Sequence, residues 1–217
     1  MIFQNREEAA RLLLKKLSSY RDKNPLVLGI PRGAMPMAKI IAEGLHGELS
    51  AILVHKIPAP AQEELAIGSV GLSGNIFRNS RVIDYLSVRN SYIEAAAQEQ
   101  LRILKKRQEK FQIGSVNYQD RIVIIVDDGI ATGATVFGAV HEVKTHKPKK
   151  VIVAAAAISH DTAEALRPLI DELVVLEDSD SFYAVSQFFV DFAQVSDEEV
   201  VEILRSRSQP RPPETNV

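Results

Sequence analysis

This chain predicts an α/β fold, a doubly wound and mainly parallel sheet, on three observations. Apolar runs of strand length, at 25–30, 49–56, 122–126 and 151–158, alternate with segments of helical period. Two of them, 122–126 and 151–158, are apolar without interruption, the pattern of strands buried on both faces of a parallel sheet. Glycine-bearing polar turns follow the runs at 29–33 and 127–135, at the carboxyl ends of strands where open α/β sheets hold ligands.

In order, residues 5–19 open on Asn5 as an N-cap, with Glu8 three positions on as a capping-box variant. Leu12, Leu13, Leu14 and Leu17 then supply the apolar face of a helix. Residues 25–30 read as a short strand, 31–34 as a turn, and 34–46 as a helix whose Pro36 sits in the first turn, where it is tolerated. A second strand spans 49–56. From 57 to 81 the periodicity fails. Pro58, Pro60, Gly68, Gly71 and Gly74 argue for a long loop or irregular hairpin, with a short strand at 65–70 inside it.

Residues 85–111 form the longest helical pattern, with Ile93, Ala97, Leu101 and Leu104 on one face. Lys105, Lys106, Arg107 and Lys110 lie in its last turns. Interleaved with Gln108 and Glu109, they read as a solvated helix end favoured by the dipole, not as a nucleic-acid patch. The strand at 122–126 comes next, then a helix from about 134 to 145 stopped before Pro148. Residues 151–158 are a strand, 162–170 a helix, 172–176 a strand and 182–190 an apolar segment of strand character. Ser196 caps a last helix to about 205, and 207–217, with three Pro, read as a disordered tail. No linker divides the chain, so 1–206 is expected to be one domain.

Composition narrows the function classes. Apolar residues at 46% and charged residues at 25% are globular values, and no run approaches ~18 apolar residues, so no membrane span is expected. A net charge of −2 gives no global attraction for nucleic acid. There is no Cys, which removes thiolate nucleophiles and Cys-ligated zinc. The charged N-terminus lacks a signal-peptide core, and a cytoplasmic location is the default. The chain has no G-x-x-x-x-G-K-[ST], no G-x-G-x-x-G after a strand and no G-x-S-x-G.

The chemistry concentrates in Asp127-Asp128-Gly129-Ile130-Ala131-Thr132-Gly133-Ala134-Thr135. Gly129 and Gly133 allow positive φ and close backbone approach, Thr132 and Thr135 add hydroxyls, and a helix starts at the same point. That is a phosphate cradle. Two carboxylates beside it suit vicinal hydroxyls or a hydrated divalent cation, so a sugar phosphate with Mg²⁺ matches both. Gly29-Ile30-Pro31-Arg32-Gly33 repeats the logic, with a guanidinium waiting at a strand end.

The 127–135 segment resembles the phosphoribosyl-pyrophosphate (PRPP) loop of type I phosphoribosyltransferases. Arg32 and Gly33 resemble that family's pyrophosphate loop, and Glu63 to Val70 and Asp191 to Glu199 resemble a subfamily of unassigned substrate. The resemblance covers about residues 3–204. It implies a Mg²⁺-dependent transferase that binds PRPP and passes its phosphoribosyl group to a nitrogenous, heterocyclic acceptor with release of pyrophosphate. The alternative is a non-catalytic PRPP or nucleotide sensor. On this resemblance Asp127, Asp128 and Arg32 are catalytic. Gly129, Ile130, Ala131, Thr132, Gly133, Ala134, Thr135, Gly33 and Lys56 bind PRPP. Asp127 and Asp128 hold the metal through water or ribose hydroxyls, with Asp191 a further metal candidate. Phe182, Tyr183 and His160 are the base-binding candidates, in a small hood drawn from about 178–195 and the N-terminal helix. His55 departs from the Arg-Lys pair of relatives. Ala131 stands where hypoxanthine-guanine enzymes carry Asp, which disfavours 6-oxopurines. The 57–81 loop is expected to act as a lid. Partners are PRPP and a small acceptor, with no nucleic acid and no membrane, and the resemblance leaves room for a homodimer.

Overall fold

A computed structural model describes residues 1–206. The elements are α1 (Arg6–Lys16), β1 (Leu26–Gly29), α2 (Met35–Leu45), β2 (Glu48–Ala51), β3 (Val54–Ala59), β4 (Gln62–Gly71) and β5 (Ile76–Arg78). They continue as α3 (Ser80–Leu86), α4 (Asn90–Phe111), β6 (Ile122–Ile130), α5 (Ala134–Thr145), β7 (Lys150–Ser159), α6 (His160–Leu166), β8 (Glu172–Ser179) and α7 (Asp197–Ser206).

The α/β expectation holds. Five strands form one sheet in the order β2-β1-β6-β7-β8, every pairing parallel. From β1 the chain builds outward to β2 and then returns to β6 on the other side. The strand order therefore reverses between β1 and β6, where such sheets open a crevice. Side chains alternate across the sheet. Val27, Ile124, Val126 and Ile152 pack with Leu13, Met37 and Ile41 of α1 and α2. Leu28, Val123, Ile125 and Val153 pack with Val136, Val140 and Val143 of α5. Each such aliphatic side chain contributes roughly 1.5–3 kcal/mol by leaving water.

Helix ends follow the sequence closely. Asn5 accepts from the Glu8 N–H at 3.0 Å. The return bond of the box slips one residue, Glu8 accepting from the Gln4 N–H. At α7 the box is complete: Ser196 Oγ accepts from the Glu199 N–H, and Glu199 accepts from the Ser196 N–H.

Several expectations need correcting. The single strand at 49–56 is two strands in two sheets, because the chain leaves the parallel sheet after Ala51 and starts an antiparallel one at Val54. Of the long loop or irregular hairpin expected at 57–81, the structure has the hairpin: β3 and β4 pair antiparallel with register shifts, β5 extends them into a second sheet ordered β3-β4-β5, and the strand expected at 65–70 lies inside a longer β4. Pro58 misled because it sits at register shifts in β3, where the missing N–H is tolerated. The helix pattern at 85–111 is broken into α3 and α4 at Ser87, whose φ is 50°. The apolar segment at 182–190 is a 3₁₀ turn at Val185–Phe188 with one bridge, Phe3 to Phe189, in place of a strand. The expected tail at 207–217 lies outside the described residues.

Candidate active site

Strand β6 carries Asp127 and Asp128 further than a strand-then-loop reading places them. It stays paired with β7 through Gly129 and Ile130, and the turn begins at Ala131. Beside it, the Ile30 N–H donates to the Val126 carbonyl at 3.0 Å, so the turn after β1 is stitched to the acid-bearing strand. The Pro31–Arg32 peptide is cis.

The two carboxylates occupy different environments. Asp127 accepts from the Asp128 N–H at 2.8 Å. Burial, and then the neighbouring Asp128 charge, raise its carboxyl pKa well above the usual carboxylate range, against the lowering pull of the Asp128 and Gly129 N–H groups. Asp128, only 9% exposed, accepts from Arg6 Nε at 2.8 Å. Arg6 is itself fixed: its guanidinium lies 3.8 Å from the centroid of the Phe192 ring and donates to the Ala193 carbonyl at 2.6 Å. A Cβ at residue 33 would fall 2.1 Å from Asp128 Oδ2, so Gly33 lets the carboxylate close over the turn.

The phosphate loop is held from below. The Ala131 carbonyl accepts from Ser159 Oγ and Thr162 Oγ1, both at 2.7 Å. Gly133 has φ of 73°, and no side chain caps the N-terminus of α5 that follows, which leaves first-turn N–H groups for an anion. Of the two properties expected of Gly129, positive φ and close approach, it uses the second alone. Its lack of a side chain makes room for Val185, whose Cγ1 would lie 2.4 Å from an added Cβ.

A cavity of about 520 Å³ opens at this edge. Of the predicted residues, Arg32, Gly33, Asp127, Asp128, Gly129 and Thr135 line it. Lys56, Thr132 and Ala134 line a second cavity, of about 450 Å³. Lys56 is therefore separated from Arg32, because β3 belongs to the other sheet. Ile130 and Gly133 are buried supports of the loop. The hood candidates line neither cavity. Phe182 packs on Phe188 with centroids 5.0 Å apart, and Tyr183 is 87% exposed. His160 pairs with Asp178 at 3.1 Å, which raises the imidazole pKa. Exposed Asp191 accepts from the Ala193 N–H. Conversely, Arg6, Arg107 and Gln194 line the first cavity unforeseen.

The donor set suits Mg²⁺. Asp127 and Asp128 offer hard oxygens, and the cavity leaves room for the water and phosphate oxygens that Mg²⁺ prefers to an all-protein cage. Among the described residues no group of three or more His, Asp or Glu makes such a cage. No helix among them is long and apolar enough to cross a membrane.

Comparison with known proteins bears on this geometry. The family model described as "Phosphoribosyl transferase domain" matches residues 1–193. A Mycobacterium tuberculosis protein provisionally named a phosphoribosyl transferase is 37% identical over 210 residues, which cover 94% of this chain and 46% of that protein. The chain thus spans about half the length of the curated relatives it matches. The crystal structure of TT1426 from Thermus thermophilus superposes with a TM-score of 0.85 at 35% identity, covering 96% of this chain and 100% of that one. AQ2163 from Aquifex aeolicus, at 13% identity and a TM-score of 0.50 over 80% of this chain and 74% of its own, shares the fold.

Proposed function

Because this chain belongs to the phosphoribosyl transferase domain family, we propose that it is a Mg²⁺-dependent transferase that binds PRPP and passes the phosphoribosyl group to a nitrogenous acceptor, releasing pyrophosphate. One observation carries the reading. Two acids, an arginine turn and Thr135 of the first turn of α5 meet in a single cavity of about 520 Å³ at the sheet's switch point.

In this reading the N–H groups and hydroxyls of 129–135 bind the 5′-phosphate, Asp127 and Asp128 bind the ribose hydroxyls, and Arg32 binds the diphosphate. As the bond from C1 to the diphosphate breaks, the ribose ring gains oxocarbenium character. The Asp128 carboxylate, paired with Arg6 Nε, faces that ring, and Arg32 meets the charge that departs. Asp127 and Asp128 would hold Mg²⁺, which would supply neutralisation of the leaving group. A role for Lys56 and the β3–β5 sheet in closing over the substrate belongs to the same proposal, as do a cytoplasmic location and a homodimer.

The second reading is a sensor that binds PRPP and transfers nothing. The observation favouring it is that Phe182, Tyr183 and His160 stand outside the cavity that would need a base. Calorimetric titration with PRPP, with and without Mg²⁺, tests both readings, followed by a screen of heterocyclic bases for pyrophosphate release. Absence of binding at millimolar PRPP sinks both; binding without release on any base selects the sensor. Asp128→Asn is expected to weaken PRPP binding about tenfold with the fold intact, since it removes one charge-assisted partner.

A further inference from the structure

The basic end of α4 does more than solvate a helix terminus. Arg107 turns into the first cavity, where Arg32 also stands, and the two guanidiniums approach one oxygen. Asp197 Oδ1 lies 3.7 Å from Arg32 Nη1 and 3.9 Å from Arg107 Nη2. Charge-assisted N–H···O bonds close to about 2.7–2.9 Å, so this oxygen sits between two forks and fills neither. It is buried and accepts no hydrogen bond among the described residues. Lys110 Nζ holds the other oxygen, Oδ2, at 2.7 Å, and that contact keeps the Asp197 carboxyl below its ordinary range. Arg107 is braced from behind, its guanidinium 5.2 Å from the centroid of Phe111.

Resting on the reading of Arg32 as the diphosphate contact, we infer that Arg32 and Arg107 form a two-guanidinium clamp for the diphosphate, with Asp197 Oδ1 marking the place of one anionic oxygen. A carboxylate presents two oxygens, and one of these is committed to Lys110. A diphosphate presents several on a longer body and can satisfy both forks bidentately, which arginine geometry favours. Asp197 gives up two long ion pairs in yielding the place but no hydrogen bond, and Oδ2 keeps its lysine. The mark falls on the guanidinium pair, and Asp127 and Asp128 of the same cavity are left for the sugar.

The test separates the two halves of the site by ligand. Inorganic pyrophosphate with Mg²⁺ and, separately, ribose 5-phosphate are titrated calorimetrically into the wild type, Arg107→Gln, Arg107→Lys and Asp197→Asn, with thermal melts to confirm folding. Arg107→Gln is expected to raise the pyrophosphate Kd about tenfold or more and leave ribose 5-phosphate within about twofold, with Arg107→Lys between. Asp197→Asn is expected to tighten pyrophosphate several-fold. The clamp is overturned if Arg107→Gln leaves pyrophosphate unchanged, if it weakens both ligands equally, or if Asp197→Asn weakens pyrophosphate. Wild type that binds ribose 5-phosphate and no pyrophosphate overturns the clamp alone; wild type that binds neither overturns the transferase reading with it.

Discussion

The two sheets of this molecule are built on different terms. In the parallel sheet, β1, β6 and β7 are buried on both faces, and their continuous apolar runs need no polar device to hold them. The antiparallel sheet has one apolar face, where Ile57, Ala59, Ile67 and Val70 meet Ile93, Ala97 and Leu104 of α4. Its other attachment, to α5, is close and mixed: Phe77 stacks on Phe137 with centroids 5.8 Å apart, beside polar contacts. Buried Glu142 of α5 accepts from Ser73 N and Ser73 Oγ, and added Cβ atoms at Gly71 and Gly138 would meet Glu142 Oε2 and Ser69 Oγ at 2.2 Å each. The first sheet supplies a rigid edge for the acids and the arginine turn. The second is pinned to α5, the helix whose N-terminus carries the phosphate loop, so its position and that of the loop are linked.

The largest effect should come from the first sheet. Ile124, fully buried in the middle of β6, is expected to cost about 2–5 kcal/mol as Ile124→Ala, read as a fall in denaturant midpoint with unchanged slope. All probes of structure should shift together. A variant that lost the antiparallel sheet's signals first would break the contrast between the two sheets.

Glu142→Ala should sharpen it. The substitution leaves the Ser73 N–H and hydroxyl without their acceptor, a cost of about 1–3 kcal/mol. Its signature is local: amide exchange in β4 and β5 should accelerate well beyond any change in β1, β6 and β7. Uniform acceleration across both sheets would show that the polar pin acts only through global stability.

The same contrast explains what was legible in the sequence. Runs such as 122–126 and 151–158 are buried whatever their neighbours do, so they announce themselves, and the acids and the arginine turn follow at their ends. The antiparallel sheet was hidden because Pro58, Gly68 and Gly71 each have a tertiary reason to be there: a register shift, close approach of β5, or the side chain of Glu142. Arg6 joins the site from 122 residues away, and nothing in the spacing of α1 separates it from an ordinary first-turn charge. Arg107 shares that fate, since a cation at the end of α4 looks the same whether it faces water or the cavity. Gly129 serves close approach, one of its two expected reasons, and not positive φ. The hood residues were chosen as aromatics near the last strands, and their positions depend on the 3₁₀ turn at Val185–Phe188, which apolar content alone does not reveal.

The smallest effect lies at the edge where the first sheet becomes the site. Burial and the Asp128 charge raise the Asp127 pKa in the folded chain above its unfolded value. Between the ordinary aspartate value of about 3.9 and the raised one, the native state holds a proton that the unfolded chain has released. Stability therefore falls as pH rises through that window and levels off above the folded pKa, the reverse of a carboxylate stabilised by a salt bridge. Asp127→Asn cannot titrate and should flatten that part of the profile, so that the variant gains on the wild type as pH rises above the ordinary aspartate value while the two agree at the acid end. Urea unfolding at stepped pH measures this. If Asp127→Asn runs parallel to wild type, desolvation does not govern this carboxyl, and the edge of the rigid sheet is wetter than its packing implies.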